Sequence, residues 1–150
     1  MTIREALRKG TALLQKAGVP DADVDACLLL ADLLKEDTLV LRIEGQRELS
    51  EEKQRKFEAL LARREKREPL QYILGETEFM GLTFHVEPGV LIPRADTEIV
   101  CEQALMRLKP GARVLDIGTG SGALAISLAK LGKDVRVTAA DISDAALAIA

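Results

Sequence analysis

The sequence predicts an α/β protein with two regions: a small bundle of helices and, after it, the start of a doubly wound domain. Two observations predict this division. In residues 1–74, apolar residues recur at helical spacing between capping residues and helix breakers. Further on, apolar runs at residues 114–117 and 135–140 flank a glycine-rich turn and a helical segment, which is the pattern of a parallel β-α-β unit.

The composition is that of an ordinary folded domain. Of the 150 residues, 47% are hydrophobic and 30% are charged, and the net charge is −3. Residues 1–68 carry equal numbers of acidic and basic side chains, so they lack the positive excess that a nucleic-acid substrate requires. No apolar run reaches the roughly 18 residues that span a membrane, and the acid-containing N-terminus is unlike a secretory leader. We therefore expect a cytoplasmic protein with no membrane contact and no direct nucleic-acid substrate.

Cysteine and histidine are too few for a metal centre. Cys27 and Cys101 lie far apart and show no metal-binding spacing, so we expect two free thiols in a reducing compartment. His85 is the single histidine. Neither a zinc site nor a histidine-based catalytic triad can be assembled from these residues, and no metal is predicted.

Local signals predict each helix of the bundle in turn. Thr2 and Glu5 form a capping box that opens the first helix, and its apolar stripe of Leu7, Leu13, Leu14 and Ala17 ends at Gly18. The remaining signals predict four more helices: one restarted by Pro20 and Asp21, a short one near residues 38–43, a charged one at 51–67 capped by Ser50, and one at 70–74 opened by Pro69.

The charged helix ends in a basic cluster, which comprises Arg63, Arg64, Lys66 and Arg67. Because Glu65 interrupts the cluster and Glu68 follows it, we expect a solvated helix face with ion pairs at i,i+4 spacing.

The pattern changes after residue 74. Residues 78–86 alternate around a glycine and predict a β-hairpin, and residues 90–93 predict an extended arm. Asp96 is a good N-cap for a helix that reaches about Leu108. The predicted domain boundaries are therefore 1–74 for the bundle, 75–93 for the hairpin and linker arm, and 94–150 for the first β-α-β of the second domain.

The most informative segment is residues 114–122, with Asp141 nineteen residues beyond it. A buried strand runs into a turn that contains Gly118, Gly120 and Gly122, and a second strand ends just before Asp141. Glycines let the backbone approach a ligand without Cβ atoms in the way, and the helix start offers unpaired N–H groups. An acid at this distance from the glycines can accept hydrogen bonds from ribose hydroxyls.

Two kinds of ligand fit the glycine-rich turn and the acid at position 141. Gly118, Gly120 and Ala123 satisfy the dinucleotide fingerprint, so the pattern alone leaves a nicotinamide or flavin cofactor open. Asp116, at the end of the strand, suits a ligand with a cationic amine and suits a pyrophosphate badly, because two negative groups would compete for one helix N-terminus. S-adenosylmethionine carries an ammonium, a sulfonium and a ribose, and it therefore fits the pair of Asp116 and Asp141 better.

The end of the sequence also carries a prediction. Ser143 caps a helix that has only begun at Ala150, and two parallel strands leave much apolar surface without cover. We expect the 150 residues to be a piece of a longer protein.

Several segments together resemble the HemK/PrmC family of protein-(glutamine-N5) methyltransferases, which act on peptide chain release factors. The segments are E-P-L-Q-Y-I-L-G at 68–75, P-G-V-L-I-P-R at 88–94, D-T-E at 96–98, D-I-G-T-G-S-G at 116–122 and V-T-A-A-D-I-S at 137–143. The glycine loop is shared by many methyltransferases, whereas the combination with P-L-Q-Y-I-L-G and L-I-P-R-x-D-T-E is highly specific. Position 95 is Ala, where the family often has proline.

The resemblance implies a substrate-recognition bundle followed by a Rossmann-like, S-adenosylmethionine-dependent methyltransferase domain. The substrate would be the glutamine side-chain amide in the GGQ motif of release factors. Asp116 would lie near the methionine ammonium and Asp141 would hold the ribose. Arg94 is either an exposed loop charge or a contact at the mouth of the site, and Thr97 is placed with it on the substrate side. The cofactor loop would comprise Gly118, Thr119, Gly120, Ser121 and Gly122.

The family's substrate motif, Asn-Pro-Pro-Tyr, is missing, since the chain contains no asparagine. No catalytic residue is therefore predicted within the chain, and we expect residues 1–150 to be inactive alone. Three other functions stay open: an adenine-N6 nucleic-acid methyltransferase, a nicotinamide dehydrogenase and a non-catalytic helical interaction module.

Overall fold

The computed structural model describes all 150 residues, which form two compact units, Met1–Leu74 and Gly75–Ala150. The first unit is entirely helical apart from one bridge, and the second contains all the strands. The predicted α/β class with a helical N-terminal region is confirmed. The finer boundary at residue 93 stays a prediction, because the hairpin and the helix after it belong to one compact unit.

Five helices form the first unit: α1 (Ile3–Lys16), α2 (Ala22–Leu34), α3 (Thr38–Ile43), α4 (Glu51–Glu65) and α5 (Leu70–Leu74). The predicted capping box is present, since the Thr2 hydroxyl accepts from the Glu5 N–H and the Glu5 carboxylate accepts from the Thr2 N–H. The Ser50 hydroxyl caps α4 as predicted, by accepting from the Lys53 N–H.

The buried stripe of α1 differs from the predicted one. Leu7 and Leu13 are only half-buried, and Leu14 shares the buried face with Ile3, Ala6 and Gly10. Gly10 explains the difference, because a Cβ at this position would lie 3.1 Å from Leu61 Cδ1. The small residues of α1 therefore let α4 approach closely, and a search for large apolar residues overlooks this contact face.

The basic end of α4 is not wholly a solvated face, so this expectation is wrong in one respect. The Arg64 side chain is 15% exposed, and its Nε donates to Asp25 Oδ2 of α2 at 2.7 Å. Its Nη1 donates to the Glu68 carbonyl. Arg63 does make an exposed pair with Glu68, at i,i+5 rather than i,i+4. One arginine of the cluster therefore joins two helices, which local sequence spacing does not encode.

The second unit begins with the hairpin β1 (Glu76–Phe79) and β2 (Leu82–His85), which starts two residues earlier than predicted. Met80 and Gly81 form its turn with φ angles of 53° and 71°. This combination is typical of a type I′ turn, whose twist matches that of the strands. Phe79 and Phe84 are buried and pack edge to face, with ring centroids 6.2 Å apart.

The helix after the arm, α6 (Ala95–Arg107), begins one residue before the predicted cap. The N-cap residue is Arg94, whose carbonyl accepts from the Thr97 N–H at 3.0 Å. The prediction that Asp96 is the N-cap is therefore wrong. Asp96 lies within the first turn, where a carboxylate still interacts favourably with the helix dipole.

The elements β3 (Arg113–Ile117), α7 (Ala123–Leu131), β4 (Arg136–Ala140) and α8 (Asp144–Ile149) complete the chain. The strands β3 and β4 pair in parallel, with Ile117 opposite Ala140, as the β-α-β pattern predicts. Val114 and Val137 pack into the core with the hairpin phenylalanines, whereas Leu115 and Ile117 on the other face are exposed. Both strands end at one edge of the sheet, and the predicted site lies at this edge.

Both cysteines are free and buried. Burial raises the pKa of the Cys27 and Cys101 thiols above the ordinary value, so the reactive thiolate is disfavoured at both positions. None of the helices is long and apolar enough to cross a membrane.

Replacing Ser127 with alanine is expected to stabilise the second unit. The Ser127 side chain is fully buried in α7, and its hydroxyl has no hydrogen-bond partner. A buried hydroxyl without a partner costs about 1–3 kcal/mol, and alanine is also the better helix former. We expect the free energy of unfolding to rise by about 1 kcal/mol, as measured by urea denaturation.

The matched control is Ser143→Ala in the same unit. The Ser143 hydroxyl caps α8 by accepting from the Ala146 N–H, so its removal should lower the free energy of unfolding. The prediction would be contradicted if Ser127→Ala also lowered the free energy of unfolding.

Candidate functional site

The candidate site is the loop between β3 and α7. Gly118, Gly120 and Gly122 have φ angles of 79°, 57° and 77°, a region that side chains with a Cβ rarely adopt. The N–H groups of Gly118 and Thr119 both donate to the Ala140 carbonyl, at 2.8 and 3.1 Å. These bonds attach the loop to the last residue of β4 and hold it at the carboxyl edge of the sheet.

Asp141 follows β4 directly and makes a further bond to the same loop. Its Oδ2 accepts from the Gly120 N–H at 2.8 Å and its Oδ1 accepts from the Ser143 N–H at 2.9 Å. The N–H donors of Ser143, Gly120 and Ile142 hold the pKa of Asp141 below the ordinary aspartate value, because they stabilise the ionised form. The carboxylate is therefore ionised at neutral pH and bound to the middle of the glycine loop.

Asp116 lies on the covered face of β3, one residue before the strand ends. It is half-buried, and its Oδ2 accepts from the Thr119 hydroxyl at 2.8 Å. Thr119 is buried. This hydrogen bond fixes the orientation of the Asp116 carboxylate and engages one of its two oxygens.

A cavity of about 230 Å³ lies beside the loop. It brings together residues that are far apart in the sequence, since the arm and the start of α6 contribute to its wall. The residues that line it are Leu91, Pro93, Arg94, Thr97, Asp116, Gly118, Thr119, Gly120, Ser121, Ala123 and Leu124.

Most of the predicted site residues lie at this cavity. Arg94, Thr97, Asp116 and residues 118–121 line it directly. Asp141 does not line it but is hydrogen-bonded to Gly120, which does. The roles assigned to these residues stay predictions. Sequence reasoning missed the contribution of Leu91 and Pro93, which were recognised only as an extended arm.

The three glycines of the loop are not equivalent. A Cβ added at Gly118 or Gly120 would meet no protein atom within 4 Å, so the space next to both is open. A Cβ added at Gly122 would lie 2.9 Å from Ile126 Cδ1, because Gly122 packs against the first turn of α7. Gly118 and Gly120 therefore leave room for a ligand, whereas Gly122 allows the loop to pack on its own helix.

The hairpin is attached to α6 near the cavity. The Met80 N–H, at the hairpin turn, donates to Glu98 Oε1 at 2.6 Å. Glu98 follows Thr97, which lines the cavity. Sequence reasoning placed Glu98 only in the first turn of a helix, and no local signal indicates its partner.

The side chains at this site are suited to binding a ligand through hydrogen bonds. The Asp141 carboxylate is bonded to Gly120, the Asp116 carboxylate is bonded to the neighbouring Thr119, and the space beside Gly118 and Gly120 is open. No group of three or more His, Cys, Asp or Glu side chains is arranged to hold a metal ion. Carboxylates of this kind accept hydrogen bonds from hydroxyl and ammonium groups.

Both units match families of known proteins. Residues 5–75 match the PrmC N-terminal domain, and residues 94–150 match the ribosomal protein L11 methyltransferase (PrmA) family. The second match covers α6, both parallel strands and the glycine loop.

Several curated relatives are similar to nearly the whole chain. A release factor glutamine methyltransferase of Fusobacterium nucleatum is 45% identical over 149 residues, which is 97% of this chain and 42% of that protein. The Geobacter sulfurreducens protein of the same name is 44% identical and matches 99% of this chain and 52% of its own length. That of Moorella thermoacetica is also 44% identical, over all of this chain and 54% of its own length.

The chain spans about half the length of the curated relatives it matches. The matched region includes the bundle, the hairpin, the arm and the glycine loop. Together with the PrmC N-terminal domain, these relatives confirm the predicted resemblance: the chain belongs to the HemK/PrmC family.

Proposed function

We propose that the loop where β3 and β4 end binds S-adenosylmethionine, and that the whole protein methylates the glutamine side-chain amide in the GGQ motif of peptide chain release factors. The observation that carries the cofactor proposal is the pair of carboxylates beside the open glycine loop. The names of the relatives, release factor glutamine methyltransferase, support the substrate.

The residues present fit this cofactor. A carboxylate oxygen has two acceptor positions, so Asp141 can accept from two ribose hydroxyls while it keeps its bonds to Gly120 and Ser143. Asp116 has one oxygen without a protein partner, which suits an ammonium group. When bound, the cofactor supplies an electrophilic methyl group on sulfur. The protein binds and orients it, and Gly118 and Gly120 allow its close approach.

We assign recognition of the release factor to the unit Met1–Leu74. Its equal numbers of acidic and basic side chains favour a protein substrate over a nucleic acid, which would require a positive surface. Leu39 and Ile43, one turn apart on α3, are exposed and can contribute apolar contacts to a protein partner. We also place the protein in the cytoplasm, because its buried, unpaired cysteines suit a reducing compartment.

Calorimetric titration of the 150-residue chain tests the cofactor proposal. We expect saturable binding of S-adenosylhomocysteine, with NADH producing no heat at the same concentrations. We expect no methyl transfer to a release factor carrying GGQ, since the Asn-Pro-Pro-Tyr motif of the family is missing from residues 1–150. Binding of NADH in place of S-adenosylhomocysteine would refute the proposal, and methyl transfer by this chain would refute the expected inactivity.

A further inference from the structure

Three arginines of the first unit line a groove between α1 and α3. The groove consists of two adjoining cavities of about 230 Å³ each, and Arg4 of α1 lines both of them. Arg8 of α1 lines the first cavity, and Arg42 of α3 lines the second. We call this surface the arginine groove.

The positive charge of the arginine groove is not neutralised within the protein. None of its three arginines forms a salt bridge. Glu5 is the only acidic residue that lines either cavity, and its carboxylate already accepts from the Thr2 N–H. The acids at the two ends of α3 are also engaged, since Asp37 caps the helix and Glu44 pairs with Arg47. The balanced total charge of the unit therefore includes a local positive excess in the groove.

Contacts within the unit hold two of the arginines in the groove. Arg4 lies across Gly45, because a Cβ added at Gly45 would be 3.3 Å from Arg4 Nε. The Arg4 N–H also donates to the Gly45 carbonyl at 2.9 Å. Burial raises the pKa of the Cys27 thiol, and Arg42 lies close enough to oppose this rise. Side chains that are positioned in this way lose less conformational freedom when a ligand binds.

Apolar side chains accompany the charges on α3. Leu39 and Ile43 are 62% and 75% exposed. Residues three and four positions apart share one face of a helix, so Leu39 lies on the same face as Arg42 and Ile43. Leu7 of α1 lines the second cavity. The surface therefore offers positive charge and apolar contact area together.

We propose that the arginine groove docks an acidic segment of a protein partner, in which carboxylates alternate with apolar side chains. The planar guanidinium group of arginine can bind a carboxylate through two hydrogen bonds. Arg4 and Arg8 are one helical turn apart, which separates their Cβ atoms by about 5–6 Å, and alternate residues of an extended segment are about 7 Å apart. This docking role rests on the recognition role proposed for the unit Met1–Leu74 and does not involve the cofactor.

A nucleic acid fits the arginine groove less well than an acidic protein segment. Its phosphates would be attracted by the three arginines, but a phosphate backbone offers no apolar partner for the exposed Leu39 and Ile43. Because the total charge of the unit is zero, the surface outside the groove has no positive excess to attract a longer polyanion. A protein segment can use both the charges and the apolar side chains.

Fluorescence anisotropy with the 150-residue chain tests the proposal. The probe is a fluorescein-labelled peptide in which Glu and Asp alternate with Leu, and its control carries Gln and Asn in place of the acids. We expect the chain to bind the acidic peptide and not the amide peptide. Arg8→Gln and Arg42→Gln should each lower the affinity about threefold, and together about tenfold, because exposed ion pairs are individually weak. Leu39→Ser combined with Ile43→Ser should also lower it.

Arg55→Gln combined with Lys66→Gln is the matched control for the paired arginine variant. It removes the same charge from α4 and its C-cap, and neither residue lines the arginine groove. This control should bind the acidic peptide as wild type does. An equal loss in both double variants would show that only the net charge matters, and it would overturn the proposal.

Two further outcomes would also overturn the docking role. Tighter binding of single-stranded oligouridylate than of the acidic peptide would assign the arginine groove to nucleic acid. Failure of the wild-type chain to bind the acidic peptide, while it still binds S-adenosylhomocysteine, would remove the docking role and leave the cofactor proposal standing.

Discussion

Asp141→Ala is expected to lower the affinity for S-adenosylhomocysteine about a hundredfold. The ionised carboxylate accepts from the N–H groups of Gly120 and Ser143 and has two further acceptor positions for ribose hydroxyls. A hydrogen bond to a charged group is worth roughly tenfold to a hundredfold in affinity, and the substitution removes two such bonds. It also releases the Gly120 N–H, so the loop loses one of its attachments and keeps the two backbone bonds to the Ala140 carbonyl.

Two control variants distinguish the loss of a negative charge from the loss of the acceptor oxygens of Asp141. Asp144→Ala removes the same charge from the first turn of α8, where the carboxylate makes no hydrogen bond with the glycine loop, and should leave the affinity unchanged. Asp141→Asn keeps one acceptor oxygen and should fall between wild type and Asp141→Ala. Equal affinities for Asp141→Ala and wild type in calorimetric titration would show that this acid does not hold the ribose.

The pKa of Asp141 gives the substitution a second signature. Because the folded protein lowers this pKa, the ionised carboxylate stabilises the fold. This stabilisation is fully present above the pKa of the unfolded chain and is lost as the pH falls through the folded value. The difference in melting temperature between wild type and Asp141→Ala should therefore be constant near neutral pH and shrink below the usual aspartate range. If the difference in melting temperature stayed the same at all pH values, the ionised Asp141 carboxylate would not stabilise the fold in this way.

Local signals in the sequence predicted most of the fold. The capping box of Thr2 and Glu5, and the caps Ser50 and Ser143, are decided by residues within one helical turn, and all three have the expected bonds. The N-cap of α6 was misplaced at Asp96, because starts at Arg94 and at Asp96 both leave an acidic first turn and an apolar helix face. Patterns of this kind define the presence of a helix better than its first residue.

Contacts between distant elements were not predictable in the same way. Arg64 pairs with Asp25, 39 residues earlier, and nothing in the periodicity of either helix specifies the partner. Gly10 was not recognised as a contact residue, because it contributes to packing through the absence of a side chain. Both features depend on how helices pack in three dimensions, which single-helix patterns leave open.

At the candidate site, too, the sequence predicted the local features but not the contacts between distant segments. The spacing of Asp116, the glycines and Asp141 predicted an edge where two strands end, and the structure has both acids in contact with the loop. The sequence did not distinguish Gly122, which packs on Ile126, from the two glycines with open space beside them. It also did not show that the arm contributes Leu91 and Pro93 to the cavity, because that contact depends on the course of an irregular segment.

Gly120→Ala is expected to abolish most ligand binding with only a modest effect on stability. The φ angle of 57° costs an alanine about 1–2 kcal/mol, and its Cβ would meet no protein atom within 4 Å. The loop can therefore keep its conformation. In the proposed complex the added methyl would occupy space needed by the ligand, and overpacking of this kind corresponds to roughly a tenfold to hundredfold loss of affinity.

Gly111→Ala is the matched control for this prediction. Gly111 has a φ angle of 80° and open space around its missing side chain, but it precedes β3 and does not line the cavity. The two variants should lose similar stability in urea denaturation, and only Gly120→Ala should lose affinity for S-adenosylhomocysteine. Gly122→Ala should be the least stable of the three, since its Cβ would lie 2.9 Å from Ile126 Cδ1. Undiminished binding by Gly120→Ala would mean that the ligand does not approach the loop at its second glycine.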